Sequence, residues 1–127
     1  MECAIVGAGA VAQEYVADID TVPLRVTAVV DVDPAAADAL ATRVGASAYT
    51  DLDRCLAAEA APLVINLTPH GVHAAVTATA LDAGRHVFSE KPLALDPAVA
   101  ADLVDRAAAA GVGLAAAPIA PTAPAQR

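Results

Sequence analysis

Aromatic side chains and positive charge are scarce in this chain. Its 127 residues include one Phe, two Tyr and no Trp, so a core has to be built from Val, Leu, Ile and closely packed Ala. The chain has seven Lys and Arg against fifteen Asp and Glu, which gives a formal net charge of −8. Nucleic-acid binding requires a clustered basic surface, so no nucleic-acid partner is expected. The length fits one domain.

Signals for secretion or membrane insertion are also missing. No basic segment precedes the first apolar run at Cys3–Val6, so no signal peptide is predicted. The longest uncharged stretch, residues 107–126, has about the length of a membrane span, but prolines and glycines interrupt it. Two cysteines in such a chain fit a reducing compartment. We therefore expect a cytoplasmic protein with no membrane partner.

Short apolar runs alternate with longer segments of helical character. The runs predict six strands, at Cys3–Val6, Val26–Val30, Ala46–Tyr49, Leu63–Leu67, His86–Ser89 and Val112–Ala116. Strands separated by helices of this length favour right-handed crossovers, and therefore a mostly parallel sheet with helices on both faces. The prediction is a doubly wound α/β domain of the Rossmann type over residues 1–117, followed by a Pro/Ala-rich tail at 118–127.

Helix boundaries are marked by proline and glycine. An N-cap residue followed by proline at the first helical position occurs at Asp33-Pro34, Thr68-Pro69 and Asp96-Pro97. The three helices that these pairs begin are predicted to end at Gly45, Gly84 and Gly111. Thr50–Asp53 resembles a capping box that begins a fourth helix. The first helix is expected from Ala10 into the turn at residues 18–20.

A glycine pattern follows the first predicted strand. Gly7, Gly9 and Ala12 form G-x-G-x-x-A between that strand and the first helix. Gly7 allows a tight turn, Gly9 lets a pyrophosphate approach the backbone, and Ala12 allows close packing of the helix on the strand. Small residues are common in this chain, so the pattern alone is equally compatible with an ordinary turn.

Asp31 ends the run V-T-A-V-V-D, some twenty residues after the glycines. Dinucleotide-binding folds place at this position the carboxylate that accepts hydrogen bonds from the adenosine ribose. The alternative is an ordinary loop aspartate. A 2′-phosphate here would be repelled by the carboxylate, and no basic residue follows before Arg43. The expected cofactor is therefore NAD, with NADP disfavoured.

Two further segments leave the fourth and fifth predicted strands. The first is N-L-T-P-H-G-V-H at Asn66–His73, which can also be read as a capped helix with two solvated histidines. No Cys or carboxylate stands at ligand spacing beside these histidines, so no metal site is expected. The second is S-E-K-P at Ser89–Pro92, which contains Lys91, the one lysine of the chain. A lone lysine is usually solvated, but carboxyl ends of parallel strands are where open α/β sheets bind ligands.

The motifs T-P-x-x-x-H, A-G-x-H-V and E-K-P together make residues 2–116 resemble the nucleotide-binding half of the Gfo/Idh/MocA oxidoreductase family. The resemblance implies that Asp31 binds the adenosine ribose and that Glu90 and Lys91 lie near the nicotinamide. It implies a catalytic role for Lys91, whose ammonium would reach a substrate hydroxyl or carbonyl, and a turn at Pro92 that is often cis. It also implies a pyrophosphate site at Gly7, Gly9, Ala10 and Val11, and a cofactor cleft lined by Asn66, Thr68, Pro69 and His73.

The resemblance stops short of a whole enzyme. Family members have a second α/β domain with substrate contacts, an Asp/His pair and a dimer interface, and these 127 residues contain no counterpart. The function predicted is an NAD-dependent oxidoreductase domain that moves a hydride between nicotinamide and a sugar or polyol hydroxyl or carbonyl. Alone it is expected to be incomplete, with a small-molecule substrate only beside a completing domain, in an oligomer or with a partner chain. The alternative is a non-catalytic dinucleotide-binding module or sensor that pairs with another chain.

Overall fold

One sheet of six strands organises the chain. The computed structural model describes residues 1–116, so the tail predicted at 118–127 and the domain boundary at 117 lie outside the described part. The strands are β1 Glu2–Val6, β2 Arg25–Val30, β3 Ser47–Tyr49, β4 Leu63–Asn66, β5 His86–Ser89 and β6 Leu114–Ala116. All are parallel and their order is β3-β2-β1-β4-β5-β6. All six strand predictions are confirmed, with boundaries shifted by two residues at most.

Helices cover both faces of the sheet. They are α1 Ala10–Ala17, α2 Pro34–Val44, α3 Leu52–Ala58, α4 His73–Asp82 and α5 Pro97–Ala110, with 3₁₀ turns at Ile19–Thr21 and His70–Val72. Residues of α1 and α2 pack with Ile5 in one buried cluster, and residues of α3, α4 and α5 pack with Val6 in the other. Alternate β1 side chains thus enter opposite cores, and the predicted doubly wound fold is confirmed. Among residues 1–116, no helix has the length and apolar character that crossing a bilayer requires.

The strand order reverses direction at β1. From β1 the chain moves outward through β2 to β3, then returns to place β4 on the other side of β1. In open parallel sheets the crevice at the carboxyl ends of the two strands flanking such a switch is the usual ligand site. Here that crevice lies between the ends of β1 and β4, where the glycine loop begins and the Asn66–His73 segment leaves the sheet.

Two Asp-Pro helix starts are confirmed. The Asp33 carboxylate accepts a hydrogen bond from the Ala35 N–H at 3.0 Å, and the Asp96 carboxylate accepts one from the Ala98 N–H at 2.8 Å. Both helices have proline in their first turn and end at a glycine in the left-handed conformation, as predicted. These signals are local, so neighbouring elements do not override them.

Two other cap predictions were wrong. Thr68 does not cap α4: its hydroxyl donates to the Asn66 side chain at 2.6 Å, and a 3₁₀ turn intervenes, so α4 starts at His73. The α3 helix is capped by Asp51 rather than Thr50, because the Asp51 carboxylate accepts from the Asp53 N–H at 2.8 Å. In the first case the Asn66 side chain accepts the hydrogen bond of the Thr68 hydroxyl, and in the second the Asp51 side chain takes the place that was predicted for Thr50.

Candidate functional site

A cleft of about 320 Å³ lies at the carboxyl ends of β1, β2, β4 and β5. Its lining residues are Gly7, Gly9, Ala10, Val11, Asp31, Leu67, Thr68, Pro69, His70, His73 and Glu90. Every site residue predicted from the sequence is among them except Asn66 and Lys91. The structure therefore brings together, at one edge of the sheet, four segments that are far apart in the chain.

A second pocket of about 520 Å³ adjoins the cleft and extends it. The two share Gly7, Asp31, Thr68 and Pro69, so they form one continuous groove across the strand ends. The walls of the second pocket are mostly apolar, with Val6, Val30, Val32, Leu52, Val72, Ala75 and Val76. The groove therefore has two compartments. The larger is apolar and suits a flat aromatic base, and the smaller is bordered by the amino terminus of α1.

The two glycines of the loop differ in their surroundings. Gly7 has φ +99°, and a Cβ atom there would lie 2.6 Å from the Leu67 carbonyl oxygen. Gly9 has open space instead: no atom of the described residues lies within 4 Å of a Cβ built on it. Gly9 also precedes α1, whose first turn has no side-chain cap, so the amide groups of Ala10 and Val11 are available to a ligand.

The Asp31 carboxylate is fixed beside the glycine loop. One oxygen accepts from the Ala8 N–H at 2.8 Å and the other from the Asp33 N–H at 2.8 Å. Each oxygen keeps a lone pair that can accept from a hydroxyl group. Among residues 1–116, neither lysine nor arginine lines either compartment of the groove, and Val32 beside Asp31 is 90% exposed. The local charge at this end of the groove is therefore negative.

Asn66 lies beneath the cleft rather than on its surface. Its side chain is fully buried and its amide nitrogen donates to the His73 carbonyl at 2.9 Å and to the Thr77 hydroxyl at 3.0 Å. Its amide oxygen accepts from both the N–H and the hydroxyl of Thr68. Asn66 thus holds the loop that carries Thr68 and Pro69 in place, and its own polar atoms are all used within the protein.

The imidazole of His73 joins the loops that follow β4 and β5. His73 is 1% exposed, so the reading of two solvated histidines is wrong for this residue, whereas His70 is exposed. The His73 Nδ1 atom lies 2.8 Å from the Pro92 carbonyl oxygen, and its Nε2 atom contacts the Thr68 carbonyl oxygen. Because carbonyl oxygens only accept hydrogen bonds and a neutral imidazole has one N–H, the ring donates to one of these carbonyls and contacts the other, and so joins the two loops.

Hydrogen bonds with two other elements fix the E-K-P turn. The Glu90 N–H donates to the Asn66 carbonyl at 2.9 Å, and the Glu90 carboxylate accepts a hydrogen bond from the Tyr15 hydroxyl of α1. Burial of Tyr15, together with this hydrogen bond and the Glu90 charge, raises the pKa of Tyr15 well above its usual range. The Lys91–Pro92 peptide is cis, as the resemblance implied. Lys91 is exposed and forms no ion pair within residues 1–116.

Sequence reasoning missed Tyr15. It is one of only two tyrosines in the chain, and it stands six residues after Gly9 on the helix that the glycine loop begins. Its rarity was the only signal available, because Glu90 is 75 residues away in the sequence. The residues of the apolar compartment were also missed, since Val, Leu and Ala occur throughout the chain. No group of three or more His, Cys, Asp or Glu side chains suited to a metal is found in the described part.

Comparison with known proteins agrees with this geometry. The model of the Gfo/Idh/MocA oxidoreductase family, NAD-binding Rossmann fold, matches residues 1–117. Inositol 2-dehydrogenase of Corynebacterium glutamicum is 35% identical over 95 residues, which cover 72% of this chain and 28% of that protein. D-glucoside 3-dehydrogenase of Escherichia coli is 36% identical over 118 residues, which cover 91% of this chain and 34% of that protein.

A solved structure gives the same result. The WlbA dehydrogenase of Chromobacterium violaceum, in complex with NADH and UDP-GlcNAcA, superimposes with a TM-score of 0.88 at 31% identity, over 92% of this chain and 34% of that one. The chain therefore spans about a third of the length of the relatives that it matches. Because the family match extends over nearly all of the sequence and the fold agrees, the chain belongs to the Gfo/Idh/MocA oxidoreductases and represents their NAD-binding Rossmann domain.

Proposed function

We propose that this chain binds NAD(H) in the groove across the strand ends and, beside a completing domain, transfers a hydride between nicotinamide and a sugar or polyol hydroxyl or carbonyl. The observation that carries the proposal is the Asp31 carboxylate fixed against the glycine loop, between an apolar compartment and a cleft with free helix amides. The names of two relatives, inositol 2-dehydrogenase and D-glucoside 3-dehydrogenase, support the substrate class.

The residues present fit the cofactor. The open space at Gly9 and the amide groups of Ala10 and Val11 suit a pyrophosphate, which Gly7 admits by its tight turn. The apolar compartment suits adenine, and Asp31 would accept hydrogen bonds from the ribose. A 2′-phosphate would lie a few ångströms from Asp31, at a cost of about 1 kcal/mol in water and more in a partly desolvated groove. We therefore propose NAD rather than NADP.

The end of the cleft away from the apolar compartment would hold the nicotinamide and the reacting atoms of the substrate. Bound nicotinamide would supply the hydride acceptor or donor. Thr68 and Pro69, which line both compartments, would form the wall that leads from the ribose toward the nicotinamide, and His73 would continue it, with Asn66 as the buried support of Thr68. Lys91 is exposed at this end, and its ammonium on a flexible stem can donate to a substrate oxygen as charge develops there. The general base and the sugar contacts would come from the completing domain.

Cofactor titration tests the binding half of the proposal. Nicotinamide fluorescence can be followed without interference because the chain has no Trp. We expect saturable NADH binding and NADPH affinity at least about fivefold weaker. Asp31→Asn should weaken NADH binding and reduce the preference over NADPH. Asp33→Asn is the matched control, because Asn caps a helix as well as Asp does. Absence of NADH binding at millimolar concentration would overturn the proposal.

Lys91 provides the test of catalysis. Lys91→Arg retains the charge but replaces a group that can give up its proton by one that cannot. We expect NADH affinity to stay within about twofold of the parent protein, because Lys91 lies outside the cleft lining. Turnover with polyols and glycosides, which should be slow for this chain alone, should fall to background in the variant. Equal turnover in both proteins would contradict a catalytic role for Lys91.

A non-catalytic binding module that pairs with another chain is the second candidate. It is favoured by an apolar groove of about 520 Å³ on the face of the sheet beside α1, lined by Tyr15, Ile19, Leu24, Leu63 and Phe88 among others. An apolar surface of this kind commonly marks a contact with another domain or protein. NADH binding without detectable turnover of polyols, even when a completing domain is supplied, would favour this candidate over the enzyme.

The cellular compartment is part of the same proposal. Cys3 and Cys55 are both buried and free, which supports a reducing environment such as the cytoplasm. Burial raises the pKa of each thiol to about 11, so neither is suited to form a disulfide or to act as a nucleophile near neutral pH. We propose a cytoplasmic protein whose cysteines serve as packing residues.

A further inference from the structure

A glutamate lies on the wall of the cleft in which an anionic cofactor would bind. Glu90 lines that cleft together with Gly9 and the first residues of α1. A carboxylate near a pyrophosphate weakens its binding unless the charge is directed elsewhere. Glu90 also precedes Lys91, whose ammonium a free carboxylate could pair with. The direction of the Glu90 side chain therefore affects both the cofactor site and the exposed lysine.

Tyr15 forms a hydrogen bond with that side chain. Its hydroxyl donates to the Glu90 carboxylate, and Tyr15 itself lines the apolar groove beside α1 rather than the cleft. The Tyr15 ring is itself held by Phe88, with ring centroids 6.3 Å apart and planes tilted by 58°. The Glu90 backbone is held independently, because its N–H donates to the Asn66 carbonyl and its carbonyl accepts from the Ser89 hydroxyl at 2.9 Å.

We propose that Tyr15 is a positioning residue that holds the Glu90 carboxylate away from the cofactor phosphates and away from Lys91. The inference rests on the proposed function, because it assigns the cleft to NAD(H). In this proposal α1 has two roles. Its first turn presents amide groups to the anionic cofactor, and Tyr15 in its second turn restrains the Glu90 carboxylate. Tyr15 touches neither cofactor nor substrate in this role.

The first test removes only the hydroxyl. Tyr15→Phe keeps the ring and its packing on Phe88, so the fold should be retained. The released carboxylate should weaken NADH binding about three- to tenfold, the effect of one charge at a few ångströms in a partly screened site. The difference from the parent protein should shrink when the salt concentration rises from about 0.01 M to about 1 M, over which the Debye length falls from roughly 30 Å to roughly 3 Å.

A second variant separates charge from packing. Glu90→Gln keeps an acceptor for the Tyr15 hydroxyl but removes the charge. If the proposal is correct, Tyr15→Phe combined with Glu90→Gln should bind NADH as tightly as Glu90→Gln alone. If the double variant is as weak as Tyr15→Phe, the hydroxyl acts through packing and the proposal is overturned. Unchanged NADH affinity in Tyr15→Phe at low salt would overturn it as well.

A spectroscopic readout tests the pair without any cofactor. Tyr49→Phe leaves Tyr15 as the only phenol in a chain without Trp, so its ionisation can be followed alone by ultraviolet absorbance. At pH values where circular dichroism shows that both proteins are folded, replacement of Glu90 by Gln in this background should increase the ionised fraction of Tyr15; an equal fraction would overturn the pair. Failure of the parent protein to bind NADH would instead overturn the proposed function, and this role of Tyr15 with it. Binding by the parent with no effect of Tyr15→Phe would overturn the role alone.

Discussion

Gly7 packs against Leu67 so closely that a Cβ atom on residue 7 would lie 2.6 Å from the Leu67 carbonyl oxygen. The glycine loop after β1 therefore rests directly on the backbone that follows β4. Gly7 also has φ +99°, a conformation that residues with a side chain rarely adopt. Gly7→Ala combines a steric clash with backbone strain, so we expect a loss of at least about 2 kcal/mol in the free energy of unfolding, measured by urea denaturation.

Gly9→Ala is expected to behave in the opposite way. A Cβ atom on Gly9 meets no atom of the part that the structure describes within 4 Å, so the urea midpoint should change little. The added methyl group would occupy the space proposed for the pyrophosphate, so NADH affinity should fall at least about tenfold. Gly7→Ala and Gly9→Ala thus form a matched pair in which one loses stability and the other loses binding. An unstable Gly9→Ala protein, or one that binds NADH normally, would contradict the assignment of this space.

The fold was predictable from the sequence because its signals are local. Strand runs, the Asp33-Pro34 and Asp96-Pro97 caps and the terminal glycines depend only on neighbours within a few residues. The cap predicted at Thr68 failed because the Asn66 side chain competes for the Thr68 hydroxyl, which depends on how the segment leaves the buried end of β4. Tertiary contacts, rather than propensity, decide such positions.

The site was only partly predictable. The residues predicted from the glycine and aspartate patterns line one groove, because parallel topology brings all carboxyl strand ends to one edge. The pairing of Tyr15 with Glu90 could not be predicted, because it depends on the angle between α1 and the sheet. In the same way, sequence position suggested that His73 faces the cleft, whereas only the packing of two loops reveals that both of its ring nitrogens contact backbone carbonyls.

His73 should contribute strongly to stability. A neutral imidazole has one N–H, so replacement by Leu leaves one buried carbonyl, of Thr68 or Pro92, without its donor, at a cost of about 1–3 kcal/mol. We expect His73→Leu to lower the free energy of unfolding by about 1–3 kcal/mol in urea titration. His70→Ala, at an exposed position nearby, should change it by less than about 0.5 kcal/mol. Equal stability of the two variants would show that the ring does not join the loops.

Replacement of Arg85 should destabilise the protein even when the new residue is lysine. Its guanidinium donates to three backbone carbonyls, those of Leu56, Glu59 and Ala61, between 2.8 and 3.0 Å. A lysine ammonium cannot reproduce this planar arrangement of donors. We expect Arg85→Lys to lower the thermal unfolding midpoint, with a loss of about 1.5–3 kcal/mol. Arg54→Lys, at an exposed position, is the control and should leave the midpoint nearly unchanged.

Tyr49 should make stability depend on alkaline pH. Its hydroxyl donates to the Glu59 carboxylate at 2.6 Å, and this bond, with some desolvation, raises the pKa of Tyr49 from 10.0 to about 12. A raised pKa means that the folded state favours the neutral phenol. The stabilisation is therefore complete below pH 10 and is lost as the pH rises through about 12. Tyr49→Phe should be less stable than the parent protein below pH 10, and the difference should vanish near pH 12.

The comparison with the parent protein is essential because other groups ionise in the same range. Burial raises the pKa of Cys3 and Cys55 to about 11, so deprotonation of these thiols destabilises the folded state of both proteins as the pH rises. The Cys3 contribution cancels in the difference between Tyr49→Phe and the parent, whereas the Cys55 contribution does so only in part, because the Cys55 charge also raises the pKa of Tyr49. Thermal unfolding midpoints measured from pH about 8 upward provide the test. A difference that stays constant over the whole range would mean that Tyr49 contributes through packing of its ring and not through a proton donated to Glu59.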